Sequence, residues 1–281
     1  MRPLSLRTIL IATDLSDAMM PALRTAVQLA DLADADLHVV HGGERPGSVE
    51  QLQAHLSRGG VRPETIGKAR TIEGPAGAMI VQEALRLEAD VIVLGPHREK
   101  DTGSIGSTAD RVVRAAPIPC LILPRALPLP LGNVLVPVDA AESARGPLAV
   151  GLTWASALRR RARDGGGTDV VALHVTPTGA SNSAAVRRLQ QEIDTVRQHL
   201  ASLAGVDIRQ SIDESNDPSG VILRQAESLA VDLVVLGTRA EKAVDGAMLG
   251  SVSSAVVCRA TTPVLLVPPG IWRSTGREPL P

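Results

Sequence analysis

The chain states the same pattern twice, and that repetition limits its possible folds more than any other feature of its 281 residues. An apolar run from Thr8 to Ala12, closed by Thr13-Asp14, returns as Asn133 to Val138 closed by Asp139, so Asp14 and Asp139 correspond at an offset of 125. Val40-His41-Gly42 returns as Leu173-His174-Val175 at 133, Gly95 as Gly237 at 142, and Gly106 and Pro119 as Gly250 and Pro263 at 144. The order is kept, and the offset grows only in loops or in the variable second helix, with one insertion visible as Gly165-Gly166-Gly167. Two tandem homologous domains follow, at 1–125 and 132–270, with a proline-rich linker at 126–131 and a tail at 271–281.

Inside the first repeat, short continuous apolar runs predict strands at Thr8 to Ala12, Leu37 to Val40, Ala69 to Ile72, Val91 to Leu94 and Cys120 to Leu123. Between them, Met19, Leu23, Val27 and Ala30 form one helical face. A weaker helix is expected from Ser48 to Ser57, another from Pro75 to Leu87, and a last one from Gly106-Ser107-Thr108 to Ala115. Runs without alternation suit strands covered on both faces. Strands and helices in strict alternation predict, for each domain, a parallel sheet with helices on both sides.

Composition removes several function classes. A hydrophobic fraction of 44% with 21% charged residues is that of a globular protein. There is no Phe or Tyr, so the cores must be aliphatic, and apart from Trp154 and Trp272 nothing can stack unpaired bases. A net charge of −1 gives no pull toward polyanions or anionic membranes, so neither nucleic acid nor membrane is expected as a partner. Arg159, Arg160, Arg161 and Arg163 read as a solvated helix end. Cys120 and Cys258 lack the spacing of a disulfide framework or a zinc site, and reduced thiols suit a cytoplasmic protein. The opening apolar run is cut off by Asp14, and no stretch approaches membrane-spanning length.

The chemistry concentrates between Leu233 and Val267. A buried strand, Leu233 to Leu236, stops at Gly237, where a ligand could approach the backbone. Gly250-Ser251 then opens a helix carrying Val252, Ala255 and Val256. Free amides and the positive dipole end make such a start an anion site. Asp139 stands at the carboxyl end of its domain's first strand, where doubly wound sheets bind ligands.

This stretch resembles the universal stress protein family, whose ATP-binding members show Gly, two residues, Gly, nine residues, then Gly-Ser or Gly-Thr. Here it stands as Gly237, Thr238-Arg239, Ala240, nine residues, Gly250-Ser251, with Ala240 in place of the second glycine. The resemblance implies two tandem flavodoxin-like (Rossmann-like) α/β domains, each with a five-stranded parallel sheet. It implies ATP, with magnesium or manganese at the phosphates, held by Pro137, Val138, Asp139, Val175, Leu236, Gly237, Arg239, Ala240, Gly250, Ser251 and Val252. Asp139 and the Val175 backbone would meet the adenine, and Pro137 fits the family's Pro-x-Asp.

The first repeat offers a weaker version in Asp14, Gly95, Arg98, Gly106, Ser107 and Thr108, two residues shorter between its glycines, and packing alone is the favoured reading there. Paired apolar final strands, Cys120 to Leu123 and Val264 to Val267, would make the chain its own partner as a pseudo-dimer. His41 and His174 read as structural, since no Ser or Cys completes a nucleophile pair. No P-loop, G-x-S-x-G elbow or H-E-x-x-H helix is present. The expected function is nucleotide-dependent binding in stress response, against a non-binding scaffold of the same fold or a slow ATPase.

Overall fold

The computed structural model describes residues 6–44, 47–66, 68–95, 106–159, 167–179, 182–200, 203, 205–238 and 249–272. Its contacts divide the chain into two units, Leu6–Leu127 and the residues from Pro128 onward. The first unit runs β1 (Thr8–Ala12), α1 (Met20–Ala33), β2 (Asp36–Gly43), α2 (Val49–Arg58), the single turn α3 (Pro63–Ile66), β3 (Arg70–Glu73), α4 (Ala76–Arg86), β4 (Val91–Leu94), α5 (Ser107–Ala115) and β5 (Cys120–Ile122). The second runs β6 (Asn133–Pro137), α6 (Arg145–Ala157), β7 (Thr168–Thr176), α7 (Asn182–His199), β8 (Val206–Glu214), α8 (Pro218–Ser228), β9 (Leu233–Gly237), α9 (Ser251–Arg259) and β10 (Val264–Val267).

In the first unit the strands lie in the order β3-β2-β1-β4-β5, and in the second β8-β7-β6-β9-β10. Every pairing inside a unit is parallel, with Ile11 opposite Val39 and Val93, and Leu135 opposite Val171 and Val234. The chain builds outward from β1 on one side and then crosses over to β4, so right-handed crossovers place α1 and α4 on opposite faces. Helices α4 and α5 pack together, as do α8 and α9, and α6 packs on α7. The central strands β1, β4, β6 and β9 are apolar beyond Thr8 and Asn133 at the starts of β1 and β6, because both faces are covered; Ile9, Leu10, Ile11, Val93, Leu135 and Val235 are fully buried. Trp154, in α6, is 3% exposed.

The repeat extends to single hydrogen bonds. Asp90 Oδ2 accepts the amides of Arg7 (2.7 Å) and Thr8 (2.9 Å), fastening the start of β1 to the turn before β4. Asp232 Oδ2 does the same for Gly132 (2.7 Å) and Asn133 (3.0 Å) in front of β6. Left-handed residues recur in register as well: Leu15 (φ 63°) with Ala140 (φ 46°), directly after the two strand-end aspartates, and Glu88 (φ 51°) with Ala230 (φ 47°). None of the four is glycine, so each turn holds a conformation that costs its residue about 1 kcal/mol.

Element positions differ from expectation mostly by one residue at the ends. Ser48 lies outside α2 as its cap: its hydroxyl accepts from Gln51 N–H while the Gln51 side chain takes the Ser48 amide. Pro75 likewise stands just outside α4, at its cap position, without a side-chain hydrogen bond. Among the described residues no helix is long and apolar enough to cross a membrane.

Candidate functional site

Strand β6 ends in Pro137, and Val138 still holds the sheet, its amide donating to Leu173 O at 2.8 Å. The Val138 carbonyl receives Nδ1–H of His174, also at 2.8 Å. A carbonyl can only accept, so the Nδ1 proton is fixed and His174 presents Nε2 as its second nitrogen. His41 does the same to Thr13 O at 2.8 Å in the first unit, where Gly47 N–H then donates to its Nε2 at 3.1 Å. Both histidines therefore tie one strand end to its neighbour, and His174 also stands in the lining of the cleft described next.

After Val138 the chain turns through Asp139 and left-handed Ala140. The exposed Asp139 carboxylate receives the Ser143 hydroxyl, whose Oγ lies 2.8 Å from each carboxylate oxygen. On the neighbouring strand β9, Gly237 O accepts Ser253 Oγ–H at 2.7 Å, which fixes α9 against the strand end. Gly250 N–H donates to Thr238 O at 2.8 Å, and the first intrahelical bond of α9 is Ser254 N–H to Gly250 O, 2.8 Å. The amides of Ser251, Val252 and Ser253 precede that bond and have no partner inside the helix. Gly250 caps the helix with no side chain, and Ser251 is exposed at the first position.

These groups surround one cleft of about 520 Å3 at the carboxyl ends of β6, β7 and β9. That volume is in the range of small-molecule sites. It lies at the switch point of the second sheet, where the strand order reverses between β6 and β9. Pro137, Val138, Asp139, Val175, Leu236, Gly237, Gly250, Ser251 and Val252 all line it, so the structure brings these expected residues together. Arg239 and Ala240 lie outside the described residues. Ser143, Ala144, Pro147, Leu173, His174, Pro218, Ile222 and Ser253 complete the lining and were not expected there from sequence. Most of them come from helices, whose ligand-facing side depends on packing; Ser143 alone carried a signal, standing four residues beyond Asp139.

The lining combines apolar side chains with a few polar groups. Pro137, Leu173, Ile222 and Leu236 supply the apolar wall, Asp139 and His174 the acceptors, and the start of α9 the donors. It can hold a flat ring bearing N–H donors together with an anion. Asp139 is the one carboxylate among the described lining residues.

The weaker set in the first unit is arranged differently. Asp14 accepts Ser16 N–H at 2.9 Å, Gly106 caps α5, and Ser107 and Thr108 are exposed at its start. Gly95 is covered by the side chain of Met19. Arg98 lies outside the described residues.

The universal stress protein family model matches residues 46–124 and 130–268, one stretch in each unit. The chain belongs to the universal stress protein family. A family member from Thermus aquaticus, described as the universal stress protein in the QAH/OAS sulfhydrylase 3′ region, is 37% identical over 83 residues. That match takes in 30% of this chain, which spans 61% of the length of the curated relative. A universal stress protein from Archaeoglobus fulgidus DSM 4304 superposes with a TM-score of 0.67 at 18% identity, over 94% of this chain and 98% of the other. A protein of unknown function from Pseudomonas aeruginosa PAO1 superposes with a TM-score of 0.68 at 19% identity, over 97% and 96%. At these identities the likeness to the solved structures is one of fold, and it extends through both units of this universal stress protein.

Proposed function

We propose that the second unit binds an adenine nucleotide, ATP, and that this universal stress protein acts in stress response through nucleotide-dependent binding. The observation that carries this reading is the meeting of Asp139, Gly237 and the open start of α9 around a single cleft of about 520 Å3. Asp139 and the Val175 backbone suit the amino edge of adenine, and the apolar wall suits its faces. The amides of Ser251, Val252 and Ser253, with the Ser251 hydroxyl, suit the phosphates. Magnesium or manganese would travel with the phosphates, coordinated by them and by water, since the described lining brings one carboxylate and that one already holds Ser143.

Two measurements test the proposal. Protein purified without added nucleotide is denatured, and the supernatant is run on an anion-exchange column; the refolded or nucleotide-free protein is titrated calorimetrically with ATP and magnesium. Adenine nucleotide in the first experiment, or saturable heat at about one site per chain in the second, is expected. Folded protein that yields neither is a non-binding scaffold, and the proposal fails.

A further inference from the structure

The repeat lets the two cleft walls be compared position by position. In the second unit Gly237, Ala144 and Pro147 stand together on the lining. The repeat offsets of 142 for the strand and 125 for the helix carry these to Gly95, Met19 and Ala22. The three stay together in the first unit, but the alanine has become methionine. Met19 is 5% exposed, and its thioether lies directly on Gly95. A methyl group added to Gly95 would overlap Met19 Sδ outright, stand 2.8 Å from its Cε, and meet Ala22 Cβ at 3.6 Å. Methionine is unbranched and polarizable, suited to filling an irregular gap. Gly237, which must stay open if a ligand is to approach the β9 backbone, thus corresponds to a glycine whose open face is already taken.

We infer that Met19 is the resident occupant of the first unit's cleft, a side chain standing where the second unit admits a ligand. The chain therefore carries one open site and one closed copy. Removing the thioether opens a second site of the same chemical class, adenine nucleotide, because Asp14, Gly95 and the start of α5 correspond in the repeat to Asp139, Gly237 and the start of α9. The ligand class rests on the function proposed for the second unit; the closure does not. In the first unit Gly47 N–H already donates to His41 Nε2, so that acceptor is engaged and the opened site binds more weakly than the second unit's.

The test uses the full chain as wild type, Met19→Ala and Ala144→Met, with folding checked by circular dichroism. ATP titration is expected to give one site in wild type, a second and weaker site in Met19→Ala, and at least a tenfold loss of affinity in Ala144→Met, which installs the same thioether against Gly237. Crystals of wild type and Met19→Ala under xenon give a readout independent of nucleotide, since a vacated apolar cavity takes up the gas. A xenon site beside Gly95 is expected in Met19→Ala alone. Xenon there in wild type, or in neither protein, overturns the closure. Xenon as expected with ATP still at one site in Met19→Ala overturns the ligand class. If wild type binds no ATP, the proposed function fails while the xenon pair still decides the closure.

Discussion

Ser143 donates its hydroxyl to the carboxylate of Asp139, with Oγ 2.8 Å from both oxygens. The bond holds the carboxylate on the cleft side of a left-handed turn, and the first repeat lacks it because Ala18 stands at the corresponding place. A carboxylate held in place loses less freedom on meeting a ligand donor. Ser143→Ala is therefore expected to weaken ATP binding by about 0.5–1.5 kcal/mol, and Asp139→Ala by more, about 1.5–3 kcal/mol. Calorimetric titration of both variants checks the order; equal affinities for wild type and Asp139→Ala would remove Asp139 from the site.

At the start of α9, Ser251→Ala is expected to cost about 1–3 kcal/mol of ATP affinity, one hydroxyl bond to a charged acceptor. Gly250→Val should remove most binding by blocking the approach to the backbone. Strain is no part of that expectation, because Gly250 has φ −59° and ψ 149°, ordinary for any residue. Gly106→Val, in the first unit, should leave binding intact. If Gly106→Val abolishes the titration signal and Gly250→Val keeps it, the site has been assigned to the wrong unit.

Turnover is expected to be slow or absent. Amides and a serine hydroxyl stabilise phosphate without activating water, and Asp139, the one carboxylate among the described lining residues, already accepts the Ser143 hydroxyl. A steady-state phosphate-release assay should read below about one turnover per second, the low end of ordinary enzymes. A faster rate that Gly250→Val abolishes would show that a water-activating residue exists.

Stability should fall with acid through His55. This residue is 1% exposed, and its Nε2 is 3.2 Å from Thr13 Oγ1; its Nδ1 is buried with no hydrogen-bond partner among the described residues. Burial, then Arg58, push its pKa below the ordinary 6.5, against weaker upward pulls from Asp14 and Asp17, with His41 lowering it again. The folded state thus resists a proton that the unfolded chain accepts, so this contribution is intact above pH 6.5 and is lost as pH falls toward the folded pKa. His38, lowered by burial, adds in the same direction. Melting temperatures between about pH 8 and about pH 5 should decline below the ordinary histidine value, and His55→Leu should flatten part of that decline. An unchanged slope in His55→Leu would acquit this residue.

Asp90→Ala and Asp232→Ala each strip two backbone amides of their acceptor. Each is expected to cost about 2 kcal/mol of stability, by similar amounts in the two units. Urea unfolding measures both. A negligible loss in either would mean that water replaces the carboxylate at that strand start.

The central strands were legible because burial on both faces leaves an unbroken apolar run: Thr8–Ala12 and Val91–Leu94 agree with expectation residue for residue. Edge strands leave a weaker trace. β3 reads Arg-Thr-Ile-Glu, and β8 alternates from Val206 to Glu214 with most residues partly exposed, so neither carries a clear run. In the cleft, backbone-determined positions such as Gly237 and Gly250 were readable from spacing. Pro147 and Ile222 were not, because a helix shows the sequence which of its residues are apolar but not which of them face a ligand. Met19 makes the same point: the helical pattern placed it in the core, and only the structure puts it on Gly95.

The aliphatic composition has an optical consequence. Leu6 to Leu127 contains no Phe, Tyr or Trp, whereas Trp154 is buried in α6 and Trp272 meets the His199 ring edge-on at 5.2 Å. All intrinsic fluorescence therefore originates in the second unit, and the first is dark. A denaturant titration followed by emission reports only the half that holds the cleft, while far-ultraviolet dichroism reports both; the gap between the two curves isolates the silent half without a label.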